Sequence, residues 1–292
     1  MRLDLLWSLG QVRTLDHFDE LETWLQSRLH PDGYYYPPIQ QTFVGWPLET
    51  AEPVPNTQRG ALLHQVPPTH ELVLREYPSK DQSVRESIAG FVIHCLGFIT
   101  GRRCQFADWW IDGRLPGRPE TDAEPLFQRE VSVCLDAAVD TWKLAGDRER
   151  RVLTNALFMH NRSPSYEWSW ERFIVEYQVF DAFYRISSQL YAVTAPTHGE
   201  RFEALADRFG LFFDRPRIGR IVALRNELFH EALWVGTTPT SGGGEEGFYA
   251  PLWLRHINQR LGLAVLGFTG PYIESNWTTL IRGFLDLDQL KK

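Results

Sequence analysis

The sequence predicts a mainly α-helical protein, and three observations support this fold class. Apolar residues recur at the three- or four-residue spacing of amphipathic helices along most of the chain after residue 120. Strand-like alternation is clear in one short segment, residues 71–77. The 292 residues, of which 43% are hydrophobic, can bury a sizeable core. We therefore expect a carboxy-terminal helical bundle in residues 121–292 and a mixed α/irregular amino-terminal region of unknown role in residues 1–120.

The amino-terminal region predicts two helices and one strand. Residues 15–29 and 81–100 show helical periodicity, and the second helix is expected to bury one face, formed by Ile88, Val92, Cys95, Leu96 and Ile99. Residues 71–77 alternate as a strand does. Residues 30–68 are rich in proline and aromatic residues and predict an irregular segment with short strands, whose aromatic rings either pack over a core or stack on bases. Residues 101–125 indicate a connection, with the domain boundary near residue 120.

The carboxy-terminal region predicts a run of helices. They cover residues 124–145, 147–160, 165–193, a short segment containing Phe202 and Phe209, then 214–234, 251–268 and 274–287. Residues 237–247 indicate a polar loop. The helix at 165–193 is apolar around more than half its circumference, which is typical of a central helix or a subunit interface. Glu176, Asp181 and Arg185 interrupt it. Either all three are rim charges, with Asp181 and Arg185 paired, or the carboxylate of Glu176 or Asp181 lies close to the motif described below and orients it.

Composition excludes several classes of protein. The formal net charge of −7 argues against a broad nucleic-acid-binding surface. The three cysteines have no metal-like spacing, and no phosphate-binding loop or metal-binding pair occurs, so we expect no metal, cofactor or disulfide. No apolar run reaches the length of a membrane span, and the first residues lack the features of a signal peptide. We therefore expect a cytoplasmic protein without membrane contact.

Residues 214–234 predict the helix on which the chain's chemistry depends. Asp214 is suited to an N-cap, Pro216 is tolerated in the first turn, and Gly236 is a stop signal. The expected buried stripe contains Ile218, Ile221, Val222, Leu228, Phe229 and Ala232. Arg225, Asn226 and His230 are expected to gather beside this stripe.

The string RNELFH at residues 225–230 resembles the Arg-x(4–6)-His signature of HEPN domains, helical modules found in many prokaryotic toxins, abortive-infection proteins and CRISPR-associated ribonucleases. Asn226 matches the polar residue that often follows the Arg. The resemblance covers roughly residues 145–270. Arg59 and His64 have the same spacing, but the prolines around them break that segment, so context favours Arg225 and His230.

The HEPN resemblance implies metal-independent RNA cleavage that leaves a 2′,3′-cyclic phosphate and a 5′-hydroxyl. His230 would transfer protons, Arg225 would stabilise the phosphorane, and Asn226 would fix the histidine or the phosphate. The family arrangement is a homodimer with a composite site, in a toxin or antiphage-defence effector that often has an antitoxin or an activating partner. Ala232 occupies the position of a tyrosine that some antitoxins modify, which argues against that mode of control.

Two alternatives remain open at this point. Arg217 and Arg220 belong to an arginine-rich segment that either holds substrate phosphates or forms a solvated helix face. The protein itself is either a ribonuclease or a non-catalytic HEPN-like scaffold or sensor that binds a nucleotide, a protein or a phage component.

Overall fold

A computed structural model describes residues 2–36, 66–75, 83–107, 113–117 and 128–274. Of these residues, 64% are helical and 9% lie in strands, which confirms the mainly α class. Several predicted features lie outside the described residues: the boundary near residue 120, the Arg59 and His64 pair, most of the proline-rich segment, and the tail after Glu274. No helix within the described ranges combines the length and apolar character needed to cross a membrane.

The helices and strands have the following bounds. The helices are α1 (Phe18–Gln26), α2 (Ile88–Thr100), α3 (Gln128–Leu144), α4 (Asp147–Arg162), α5 (Ser169–Tyr191), α6 (His198–Phe209), α7 (Arg215–Glu231), α8 (Gly244–Val265) and α9 (Pro271–Glu274). The strands are β1 (Leu5–Trp7), β2 (Gly10–Thr14), β3 (Tyr34–Tyr35), β4 (His70–Leu74) and β5 (Leu115–Pro116).

Two small antiparallel sheets lie in the amino-terminal region. One has the order β1-β2-β4, with Val12 opposite both Leu5 and Leu72, and the other pairs β3 with β5. Strand β4 confirms the strand predicted in residues 71–77, although it begins one residue earlier and ends at Leu74. The β1-β2 hairpin was not predicted, because its strands are short and its alternation covers only a few residues.

Helix α5 is the centre of the bundle, as its apolar character predicted. It packs mainly against α8 and α4 and also contacts α6. Phe180 of α5 stacks on Phe202 of α6 with ring centroids 3.8 Å apart. The main hydrophobic core of the described residues runs from Leu5 to Ile273 and includes residues of α2, and a smaller cluster surrounds Tyr35.

Helix α2 differs from the expectation of one buried face. It packs against α3 and α4, and Phe91 and Phe98 are as completely buried as Cys95 and Ile99. His94 is also buried, with 5% of its surface exposed. The helix is therefore enclosed on nearly all sides, which its high proportion of apolar residues permits.

Helix α7 begins as predicted but ends earlier. The Asp214 carboxylate accepts a hydrogen bond from the Arg217 backbone N–H in the first turn. The helix ends at Glu231 because Ala232 is left-handed, with φ of 55°. Trp234 then turns inward, fully buried, and its ring centroid lies 5.1 Å from that of Phe173.

The buried stripe of α7 also differs in part from the prediction. It consists of Ile218, Ile221, Leu224 and Leu228. Phe229 was expected in the stripe but is 44% exposed. The loop predicted at residues 237–247 is shorter than expected, because α8 begins at Gly244.

Candidate functional site

The structure brings Arg225, Asn226 and His230 together on one surface of α7. Arg225 Nη1 lies 2.9 Å from His230 Nε2 and donates to Asn226 Oδ1 at 3.0 Å. Asn226 and His230 are exposed, whereas Arg225 is half-buried. All three predicted catalytic residues therefore form one hydrogen-bonded group that is open to solvent.

The contact between Arg225 and His230 gives each group a hydrogen-bonding role. A guanidinium has only donors, so His230 Nε2 accepts the hydrogen bond. An Nε2 atom that can accept from a guanidinium can also accept a proton from a substrate hydroxyl.

Two aromatic side chains position the Arg225 guanidinium. Its central carbon lies 5.1 Å from the ring centroid of Phe229 and 6.0 Å from that of Tyr177 on α5. The two aromatic rings are themselves neighbours, with centroids 6.3 Å apart. Cation–π contacts of this kind hold a guanidinium in place while leaving its terminal donors available.

A second polar cluster adjoins the motif through Tyr177. The Tyr177 hydroxyl lies 3.0 Å from His198 Nδ1, and Arg201 Nη1 donates to Asp181 Oδ1 at 2.8 Å. Burial and the nearby Arg201 and Arg225 lower the pKa of His198, although Asp181 opposes them. Of this cluster only Asp181 was expected near the motif, as one of two alternatives, because its members come from two helices that packing brings together.

Arg217 and Arg220, the predicted substrate-binding residues, are both engaged with carboxylates. Arg220 donates to both oxygens of Glu246 and to Glu227 Oε1 at 3.3 Å. These hydrogen bonds raise the pKa of Arg220. Arg217 Nε lies 3.3 Å from Asp214 Oδ2, and its guanidinium covers the Trp253 ring at 5.2 Å. A phosphate would have to compete with these partners.

Glu176 is neither a rim charge nor a partner of the motif. It is completely buried, and Arg255 Nη1 of α8 donates to its Oε1 at 2.9 Å. Asn258 Nδ2 donates to its Oε2 at 2.8 Å, and His160 Nδ1 of α4 lies 2.9 Å from the same oxygen. Asp181 pairs with Arg201 instead of Arg185, so the predicted i,i+4 pair is also wrong.

The protonation of this buried network follows from its contacts. Burial alone would raise the pKa of Glu176, but His160, Arg255 and Asn258 together lower it to about 2. Burial and the Arg255 charge lower the pKa of His160, although Glu176 opposes them. Glu176 is therefore ionised, and His160 donates a hydrogen bond to it from Nδ1.

The network leaves several buried polar atoms without a partner among the described residues. They are His160 Nε2, Asn161 Oδ1, His256 Nε2 and Asn258 Oδ1. Buried polar atoms are normally hydrogen-bonded, so such a concentration marks a polar centre inside the bundle. The sequence signal that was missed is the polar run HINQR at residues 256–260, within a helix that is otherwise buried and apolar.

Across the described ranges, no group of three or more His, Cys, Asp and Glu side chains has the arrangement of a metal site. The three cysteines are free. Burial raises the pKa of the Cys104 thiol to about 11 and also raises the pKa values of Cys95 and Cys134. Protonated thiols of this kind are poor nucleophiles and poor metal ligands.

Comparisons of this chain with family models, with curated proteins and with solved structures found no match.

Proposed function

We propose that the protein is a metal-independent endoribonuclease of HEPN type, acting in the cytoplasm as a toxin or an antiphage-defence effector. The observation that carries this proposal is the 2.9 Å contact between Arg225 Nη1 and His230 Nε2 on an exposed surface. A permanent cation and a proton-transfer group this close together are able to act on one phosphodiester, which supports the proposal. The resemblance of RNELFH to the HEPN signature supports the same reaction.

In the proposed reaction, Arg225 binds a non-bridging phosphate oxygen and releases His230 Nε2. His230 then takes the proton of the ribose 2′-hydroxyl as the 2′-oxygen–phosphorus bond forms. Charge that develops on the phosphorane is stabilised by the Arg225 guanidinium, which remains cationic throughout. The bond from phosphorus to the 5′-oxygen breaks, leaving a 2′,3′-cyclic phosphate. Asn226 Oδ1 accepts a hydrogen bond from Arg225 and keeps its guanidinium oriented.

The leaving 5′-oxygen needs a proton from a second acid. We propose that His230 of a second copy supplies it as an imidazolium, after Arg225 of that copy has also turned to the phosphate, so that the active species is a homodimer with α7 in its interface. The exposed Phe229, next to His230 on α7, provides an apolar contact for such an interface. Light scattering that finds only monomer while cleavage is intact would contradict the dimer.

One observation favours the alternative of a non-catalytic scaffold or sensor. Arg217 and Arg220, next to the motif, are already occupied by Asp214, Glu246 and Glu227. Together with the net charge of −7, this reduces the positive surface that is available to RNA. A protein that binds a partner with few phosphates would need less positive charge.

The decisive experiment incubates the purified full chain with single-stranded RNA in excess EDTA. Cleavage should persist, and His230→Ala and Arg225→Ala should each lower the rate by about a hundredfold or more. Arg225→Lys retains the positive charge but loses the planar guanidinium with its several donors. It should therefore be more active than Arg225→Ala but less active than wild type. The products should carry cyclic phosphate and 5′-hydroxyl ends.

Matched controls come from the second pair with the same spacing. Arg59→Ala and His64→Ala should leave the rate unchanged. Equal activity in wild type, His230→Ala and Arg225→Ala would reveal a contaminating nuclease. Expression of wild type and His230→Ala in growing cells tests toxicity when an antitoxin or an activator controls the enzyme. If neither cleavage nor toxicity depends on His230, the scaffold or sensor alternative replaces the nuclease.

A further inference from the structure

A large cavity lies mostly within the amino-terminal region and reaches the helical bundle at Asn161, Pro164 and Arg255; no residue of α7 lines it. Its volume is about 840 Å³. Its wall is formed by β2, β4, α1, α2, residues 101–107 and β5, and most of the side chains are aliphatic or aromatic. Cavities that bind small ligands have volumes of roughly 300–1,000 Å³ and mainly apolar walls. The size and the lining of this cavity therefore match those of a ligand site.

One end of the cavity is polar and reaches the buried network. Arg255 and Asn161 both line the cavity, with only 5% and 4% of their surfaces exposed. Asn161 Nδ2 donates to the His94 carbonyl at 2.8 Å, whereas its Oδ1 has no partner among the described residues. Arg102 and Arg103 also line the cavity, so three guanidiniums, counting that of Arg255, contribute to its wall. Burial and then the charge of Arg103 lower the pKa of the His94 imidazole to about 4.

The Arg255 guanidinium uses only one of its three nitrogens in hydrogen bonds to described residues. Nη1 donates to Glu176 Oε1 at 2.9 Å and to the His160 carbonyl. Neither Nε nor Nη2 has a hydrogen bond to a described residue. A guanidinium can bind a second carboxylate through these remaining donors. The buried Glu176 holds the guanidinium in a fixed position for that contact.

We propose that this cavity binds an acidic amphiphile, a molecule with a long apolar chain and a single carboxylate head. The apolar wall takes the chain, and Arg255 and Arg103 take the head. A single negative charge fits better than a polyphosphate, because Glu22 and Glu71 also line the cavity. The site is separate from Arg225 and His230, so the proposal does not depend on ribonuclease activity.

The test uses the full chain and a fluorescent fatty-acid analogue, displaced by three twelve-carbon competitors below their critical micelle concentrations. Dodecanoate, dodecanol and dodecyltrimethylammonium share the apolar chain and differ in the head. A charge-assisted hydrogen bond should make dodecanoate bind about tenfold or more tightly than dodecanol. Dodecyltrimethylammonium should bind most weakly. Equal affinity of the three competitors, or no binding of the analogue, would overturn the proposal.

Two variants locate the site without removing Arg255, whose loss would also leave Glu176 without its cation. Arg103→Met should reduce the preference for dodecanoate over dodecanol. Ile93→Trp should fill the cavity and weaken the binding of all three competitors. Arg148→Met and Val133→Trp, at positions outside the cavity, are the matched controls. Circular dichroism establishes that each variant is folded. Affinities that are unchanged in both folded cavity variants would place binding elsewhere and refute this site.

Discussion

Replacement of Glu176 by Gln tests the role of the buried network in stability. The amide keeps the shape of the side chain but removes the charge that balances Arg255, so the variant imitates a protonated Glu176. The pKa of this carboxyl falls from 4.5 to about 2 on folding, which corresponds to about 3 kcal/mol. Breaking a buried ion pair by removing one partner typically costs about 3–5 kcal/mol, in agreement with that figure.

Urea unfolding at pH 7, followed by tryptophan fluorescence, measures this cost. At a slope of roughly 1–3 kcal/mol per molar, the midpoint of Glu176→Gln should fall by about 1–3 M. The matched control is Asp19→Asn, which removes an exposed carboxylate paired with Arg2 and should cost less than about 1 kcal/mol.

The pH dependence of the difference in unfolding free energy between wild type and Glu176→Gln provides a second measurement. The Glu176 pKa is lower in the folded state, so ionised Glu176 stabilises wild type fully above about pH 4.5, and this advantage is lost as the pH falls towards about 2. The difference in unfolding free energy between wild type and Glu176→Gln should therefore decrease as the pH falls from about 4.5 to about 2. If Glu176→Gln lowers the unfolding free energy at pH 7 by no more than Asp19→Asn does, the network does not hold the helices together.

Two further predictions concern stability. Burial lowers the pKa values of His94 and His256 to about 4, so the unfolded chain binds more protons between pH 6.5 and 4. The melting temperature should fall as the pH decreases through that window, and a flat profile would contradict the neutral buried state. Gly262→Ala should cost about 1–3 kcal/mol, because its Cβ would lie 2.4 Å from Phe98 and 2.7 Å from Phe183. Gly219→Ala, with open space around its Cβ, should instead stabilise α7 by about 0.5–1 kcal/mol, and urea midpoints that move in the same direction for both variants would refute this reasoning.

The start of α7 and the meeting of its motif residues followed from the sequence alone, because both depend on local geometry. Asp214 caps a helix that begins with Arg215, and the long Arg225 side chain reaches His230 five positions further along the same helix. The end of α7 was less predictable. It depends on Ala232 in a left-handed conformation and on the burial of Trp234 against another helix.

Contacts between distant parts of the chain were decided only by the tertiary structure. Glu176 meets His160 and Arg255 because α4, α5 and α8 pack together, and no spacing rule links positions so far apart in the sequence. Arg220 likewise pairs with Glu246, 26 positions away on another helix. Periodicity identifies which face of a helix is apolar, but burial of a charge depends on which neighbour supplies the opposite charge.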